Sequence, residues 1–339
     1  MLSYGPCQTP TLGFCVKRHL DIESFKPEPY WLLDLGIFKR GRIFKAQSGA
    51  GRSFNQQKIR KLVTTVFESP ETATAVVTSV KSKQKKQGRP VPLNTVSLLK
   101  ACSKALGIGP HFAMQTAERL YLCGYLSYPR TESTAYPESF DIRGALQLQA
   151  PDSRWGAYVN GILRSNPNPQ AQRGKDMGDH PPITPCRAAA PHELTGDMSR
   201  VYELVTRHFI ASVSKDALWN NTSVTLDVGV LGQKGTFTLR GKEMISPGFL
   251  EALLHKEYGD EKDELAEYSI EDEVKEVENL PEFEEGEIFA LSGQKDASQS
   301  KVATASTGPR AILGMKVGLS IQAIVVFNFF LSWFSDAQI

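Results

Sequence analysis

Tyr128 and Arg130 stand with four further polar side chains in Leu126-Ser127-Tyr128-Pro129-Arg130-Thr131-Glu132-Ser133. A phenol can attack phosphorus and hold it as an ester, and a planar guanidinium nearby can grip the non-bridging oxygens. Pro129 fixes its own φ and biases Tyr128 toward an extended backbone. Residues two apart on an extended piece leave on one face, so Tyr128 and Arg130 are expected side by side. The pattern points to covalent attack on a phosphodiester, with Arg130 offsetting the charge that grows on five-coordinate phosphorus. A Tyr-Pro-Arg turn after a helix is also an ordinary structural feature, so support has to come from elsewhere in the chain.

Two other stretches carry groups of the same kind. In Gly178-Asp179-His180-Pro181-Pro182-Ile183-Thr184-Pro185, two prolines stiffen the backbone beside an imidazole. A protonated His180 can bind a phosphate oxygen, and Asp179 is expected to hold its ring. In Ser3-Tyr4-Gly5-Pro6-Cys7-Gln8-Thr9-Pro10-Thr11-Leu12-Gly13-Phe14, Gly5 permits close backbone approach, and Gln8 and Thr9 offer hydrogen-bonding groups. Lys81 to Arg89 places five cations in nine residues. It reads as a solvated loop, or as a strap on phosphates through Lys85 and Lys86.

The elements that would position these groups follow from periodicity. Thr9-Pro10 opens a short helix that runs from Thr11 to His19. Tyr30 to Leu33, Gly41 to Lys45 and Ala73 to Val80 have strand composition, with a helix at Gln56 to Phe67. Asn94-Thr95 caps a helix that Gly107 to Pro110 interrupts. A second helix sets Ala113, Met114, Ala117, Leu120 and Tyr121 on one face and ends at Gly124, just before Tyr128. Residues 151 to 187 read as loop-rich. Met198 to Asp216 reads as a helix burying Val201, Leu204, Val205, Phe209 and Val213, with Arg207 and His208 on its wet side or toward nucleic acid. Thr222 to Val228 and Thr236 to Arg240 read as a β-hairpin turning at Gly232 to Gly235.

The three motifs together resemble type IA DNA topoisomerases, nearest to the topoisomerase III beta branch. The resemblance runs over about residues 2 to 295. It implies an α+β fold in which a helical tyrosine-bearing domain is inserted into a strand-rich arch. The implied boundaries are 1–26 for a helix segment at the gate entrance, 27–93 and 221–295 for the two parts of the arch, and 94–220 for the helical domain. Residues 296–339 are then a divergent tail, polar and disordered before turning apolar. The implied function is to change DNA topology without ATP, by strand cleavage through a 5′-phosphotyrosyl intermediate, strand passage and religation. The implied catalytic residues are Tyr128, Arg130 and His180. Gly5, Gln8, Thr9, Thr131, Ser133, Asp179, Lys85 and Lys86 are the implied DNA contacts. The resemblance also implies Mg²⁺, held with a general acid in a Toprim domain. No acidic DxD cluster precedes Gly5, so no metal ligands are assigned and the chain alone is expected to relax DNA slowly or not at all. Single-stranded or underwound DNA is the implied partner, with RNA a second candidate, and a Tudor-domain scaffold or a helicase as protein partners. The implied location is the nucleus, with the cytoplasm as a second site.

Composition bounds these readings. Hydrophobic residues at 41% and charged residues at 22% describe a folded, soluble chain. The five cysteines form no CxxC pair, which fits a reducing compartment. No secretory signal is read at the amino end. The net charge of +2 hides a separation: residues 257 to 287 carry fifteen acids and two lysines, a net of −13 against +15 elsewhere. A basic body of this kind suits a polyanion. Val317 to Phe334 is apolar but only marginally long enough to span a bilayer, and membrane association is not expected. Three other readings stay open: a non-catalytic module that holds single strands of DNA or RNA, a membrane-tethered fragment, and a tyrosine recombinase.

Overall fold

A computed structural model describes residues 6–26, 28–68, 74–190, 192–253, 277–278, 280–293 and 310–319. The chain opens with helix α1 (Gln8–Glu23), which buries none of its side chains. Strands β1 (Pro29–Lys39) and β2 (Arg42–Ser48) follow as an antiparallel hairpin. Its two-residue turn has Arg40 at φ 49° and Gly41 at φ 75°, the left-handed pair that matches strand twist. Helix α2 (Gln56–Glu68) leads to β3 (Thr74–Gln87).

A helical body then intervenes before the sheet resumes. It holds α3 (Thr95–Ala101), α4 (Pro110–Leu122), α5 (Ile142–Gln149), α6 (Gly156–Ser165) and α7 (Gly196–Ser212). A π-helical turn over Cys102–Leu106 extends α3 and ends where Gly107 takes φ 66°. The chain returns to the sheet as β4 (Ala217–Asp227) and β5 (Thr236–Ser246), then β6 (Val277–Glu278), β7 (Ile288–Gly293) and β8 (Arg310–Leu319).

The strands lie in the order β2-β1-β8-β7-β3-β4-β5-β6, and β2 also pairs with β5, so the sheet curls back on itself. Most pairings are antiparallel, with β5–β6 and β7–β8 parallel. Alternate residues face inward, among them Leu35, Ile37, Ala46, Val77, Leu226 and Phe237. Ile59 and Val66 of α2 pack against the same cluster. The helices have their own core, built around Leu98, Leu120, Leu126, Trp155, Tyr202 and Phe209. The fold is therefore mixed α+β with two apolar cores, one under the curled sheet and one among the helices.

Several sequence expectations are corrected. The basic run Lys81 to Gln87 is not a loop: it is the distal half of β3, paired residue for residue with Ala217 to Ser223. The loop-rich stretch expected over residues 151 to 187 holds α6 at its start. Helix α5 was missed altogether. Arg207 and His208 do not face solvent. Arg207 bonds Glu203 and the Ala252 carbonyl, and His208 is buried against the Val91 carbonyl at 2.8 Å. Arg310–Leu319, assigned to the divergent tail, forms β8, paired along its whole length with β1. The expected disorder at Ser298 to Gly308 and the apolar run beyond Leu319 lie outside the described residues. No helix among the described residues is long and apolar enough to cross a membrane.

Candidate active site

Tyr128 leaves helix α4 by a left-handed exit. Gly124 has φ 77°, and the Tyr125 N–H reaches back to the Leu120 carbonyl at 2.9 Å. This is a Schellman cap, which stops the helix and turns the chain sharply. The next nine residues are clamped from two sides.

The first clamp is the start of α3. Asn94 caps that helix through the Ser97 N–H at 2.9 Å. The Thr95 N–H donates to the Thr131 carbonyl at 3.0 Å, and the Thr95 hydroxyl donates to the Pro129 carbonyl at 2.8 Å. The same hydroxyl accepts the Thr131 N–H at 2.9 Å. The second clamp is the motif around His180. The Ser127 N–H donates to the Thr184 carbonyl, and the Ser127 hydroxyl accepts the Thr184 N–H, both at 2.9 Å. Leu126 bridges to Pro185 and Ile183 bridges to Leu93, so three short extended pieces lie side by side. Tyr136 adds a buried prop, its hydroxyl 2.7 Å from that of Thr184. Desolvation raises its pKa, so the phenol stays neutral.

Tyr128 sits half-buried between two other rings. The His180 imidazole meets it edge-on at 4.6 Å between centroids, and Tyr121 does the same from the other ring at 5.3 Å. No protein group among the described residues hydrogen-bonds the Tyr128 hydroxyl. His180 is exposed beside it.

Arg130 is fully exposed and turned to Glu118 on α4, with Nε at 2.9 Å and Nη2 at 2.6 Å from one carboxylate oxygen. The Glu118 hydrogen bonds first, and its charge second, raise the pKa of the guanidinium. Tyr128 adds a smaller contribution of the same sign, which places the phenol within electrostatic reach.

Asp179 does not orient His180, contrary to the sequence expectation. Its carboxylate accepts the Ser133 hydroxyl and, at 2.6 Å, the Glu132 N–H. These bonds hold its pKa below the ordinary aspartate value, the Ser133 hydroxyl first. The Thr131 hydroxyl donates to the His180 carbonyl. Thr131 and Ser133 are only 3% and 1% exposed. Their hydroxyls thus join the tyrosine segment to the histidine segment rather than facing an incoming strand.

The remaining sequence candidates are apart from this cluster. Gln8 and Thr9 are exposed on the first turn of α1, and Gly5 lies outside the described residues. Lys85 and Lys86 are exposed on β3, opposite Trp219 and Leu218, and therefore on opposite faces of the strand. Sequence reasoning missed Thr95, Glu118 and Tyr121 as members of the site. Tyr121 was assigned to the buried face of α4, yet it is 41% exposed and covers Tyr128. Among the described residues no group of three or more His, Cys, Asp or Glu is placed to hold a metal ion. No ligand set for the expected Mg²⁺ is assigned among the described residues, and no step is routed through it.

The chain is similar to known proteins. A family model described as DNA topoisomerase matches residues 1–313, past residue 295, where the resemblance was expected to end. The chain is 45% identical over 254 residues to DNA topoisomerase 3-beta-1 of Homo sapiens, covering 75% of this chain and 28% of that protein. It is 46% identical over 251 residues to DNA topoisomerase 3-beta of Arabidopsis thaliana, covering 74% and 28%. The solved structure of full-length topoisomerase I from Thermotoga maritima matches with a TM-score of 0.61 at 19% identity, over 94% of this chain and 45% of that one, a likeness of fold alone. The chain thus spans about 28% of the length of these two curated relatives.

Proposed function

The chain belongs to the type IA DNA topoisomerases, a family of isomerases, and from that premise we propose that Tyr128 is its nucleophile for transient cleavage of one DNA strand. The phenolic oxygen attacks the scissile phosphorus and forms a 5′-phosphotyrosyl ester. The bond from phosphorus to the 3′-oxygen breaks, and that oxygen leaves as a 3′-hydroxyl carrying a proton. One ester replaces another, so the step is near neutral in energy and needs no ATP. Attack by the 3′-hydroxyl in reverse reseals the strand after another has passed.

The observation that carries this reading is the Tyr128 ring, held against His180 on a doubly clamped loop with its hydroxyl unpaired. Among the described residues the hydroxyl has no protein partner and is not sealed from solvent, so a phosphate can reach it. His180 in its protonated form binds a non-bridging phosphate oxygen. Arg130 exchanges Glu118 for the phosphate and offsets the charge of the five-coordinate state. Underwound or single-stranded DNA is the substrate that admits an extended strand to such a loop.

Arg130 is engaged with Glu118, and this favours a second reading: a module that holds single strands without cutting them. One experiment separates the two. The chain is incubated with end-labelled single-stranded DNA and trapped with detergent. The cleavage reading expects a covalent adduct through the 5′-phosphate that Tyr128→Phe abolishes while salt-sensitive binding persists. Binding with no adduct from the native chain, alone or with a separately supplied Toprim domain, would sink it.

A further inference from the structure

The far ends of β3, β4 and β5, flanked by β6 beside Gly241 and Lys242, form a ribbon whose two faces differ sharply in charge. Direct partners in an antiparallel ladder share a face. One row across the ribbon is Lys81–Ser223–Arg240, the next Lys83–Asn221–Lys242, and the third Lys85–Trp219–Met244. Five cations thus stand on one face, in the two outer columns, with Ser223, Asn221 and Trp219 down the middle. The opposite face carries Lys86 and Glu243 and continues into the sheet core through the buried Val224 and Leu239, while β6 pairs with β5 at Gly241 and Lys242 and sets Glu278 beside Lys242 in the ladder.

Lys81, Lys83, Lys85 and Arg240 are exposed and meet no carboxylate among the described residues. Lys242 lies over the Trp219 ring, its Nζ 4.3 Å from the centroid. Trp219 packs against the helical core and donates its ring N–H to Gln87 at 3.0 Å. The Lys85 end of the ribbon therefore abuts the helical body, and the Lys81 end points away from it. Like charges assembled this densely repel one another, so the face is stabilised when a polyanion neutralises it.

We propose that this face is a binding track for a single strand of DNA or RNA, separate from the Tyr128 cleft. Lysines at alternate positions recur roughly every 6.7 Å along the strand, a pitch comparable with the phosphate repeat of an extended single strand. The outer columns stand about 9.6 Å apart, two strand spacings. That width lets both columns reach one backbone laid between them. The face reads no base pattern, so binding is insensitive to sequence. The inference takes from the proposed function only that the partner is a nucleic acid. The track can hold a strand whether or not Tyr128 cuts one.

The test uses the full chain and fluorescein-labelled oligothymidylate and oligouridylate, titrated over a range of salt. Lys81→Ala/Lys83→Ala/Lys85→Ala is compared with Lys58→Ala/Arg60→Ala/Lys61→Ala on α2, which removes the same charge from another exposed surface. The ribbon variant is expected to lose roughly tenfold or more in affinity at low salt. The slope of log K against log salt should flatten by about 2, at roughly 0.7 for each phosphate that is no longer neutralised. The α2 variant should retain its slope. An oligodeoxyuridylate of the same length, compared with the oligouridylate, identifies the sugar of the natural partner. Photocrosslinking of a bromouridine oligonucleotide to the unaltered chain should label peptides within 81–87 and 217–246. Equal effects of the two triple variants, or crosslinks confined to peptides around Tyr128 and His180, would overturn the proposal. Loss of the Tyr128 reading would show separately, as absence of a covalent adduct with the ribbon slope intact.

Discussion

Glu118 decides what Arg130 can do. The guanidinium is fully exposed and both its hydrogen bonds go to one carboxylate oxygen, so a phosphate must compete with that carboxylate for it. An exposed pair of this kind contributes little to stability, so its importance lies in the occupancy of Arg130. Glu118→Gln removes the competing charge while keeping the side chain's size. Its chemical denaturation curve is expected to match that of the native chain, and its affinity for single-stranded DNA is expected to rise severalfold at low salt. Arg130→Ala in the same background should cancel the gain. A Glu118→Gln variant with unchanged affinity, titrated by fluorescence anisotropy, would show that the arginine plays no part in holding phosphate. Nothing in the local sequence pointed to Glu118, because the pair closes across the turn between α4 and the tyrosine loop. His180 was legible because it sits in a motif. Asp179 was legible as a site residue but not in its role: its bonds to Ser133 and Glu132 cross between two loops far apart in sequence.

The elements that hold the tyrosine loop are short, and their ends do most of the positioning. Asn94 caps α3, and the adjoining Thr95 grips Pro129 and Thr131, so the helix start and the catalytic loop form one hydrogen-bonded unit. Asn94→Ala removes the cap and is expected to cost about 1 kcal/mol. Gly124→Ala forces a side chain into the left-handed region at φ 77° and is expected to cost about 1–2 kcal/mol. Urea denaturation would measure both. Either variant should also raise amide exchange at Thr131, which the clamp protects. The caps were readable from sequence because Asn-Thr before an apolar run and Gly after one each have a single physical use. The hairpin of β4 and β5 and helix α7 were readable because their apolar residues repeat at the right period over many residues. Helices α5 and α6 were not. Each is short, and their sequences include Gly144, Gly156 and Gly161, which weaken any local preference for helix. The lysine-rich end of β3 was mistaken for a loop because lysine has little strand propensity. Its ladder partners in β4, more than a hundred residues away, supply what propensity does not.

At the scale of the whole molecule, two cores meet at the passages between sheet and helices; two of these lie side by side, and residues 248–253 after β5 reach the helical core as well. The first passage runs from the end of β3 to α3, and the second from α7 to β4. Two of the bonds that tie them together lie next to the helical body. The Arg89 N–H donates to the Asp216 carboxylate at 3.2 Å, and the His208 Nε2 lies 2.8 Å from the Val91 carbonyl. His208 is buried, and burial pushes its pKa down from 6.5 to about 4. The neutral ring is therefore the folded form. Because the folded pKa lies below the unfolded one, stability from this group is constant above about pH 6.5. It is lost as pH falls from there through 4, where the unfolded chain binds a proton that the folded chain refuses. The shift corresponds to a loss on the order of 3 kcal/mol at the acid end. The loss should be felt by sheet and helices together, because the ring sits at their junction. His208→Gln can keep a donor toward Val91 without a titrating proton. It is expected to be less stable than the native chain at pH 7.5, yet to show a flatter fall in urea midpoint between pH 7 and 4.5. Parallel midpoint curves for the two proteins across that interval would mean that the acid sensitivity arises elsewhere and that the junction is not its source.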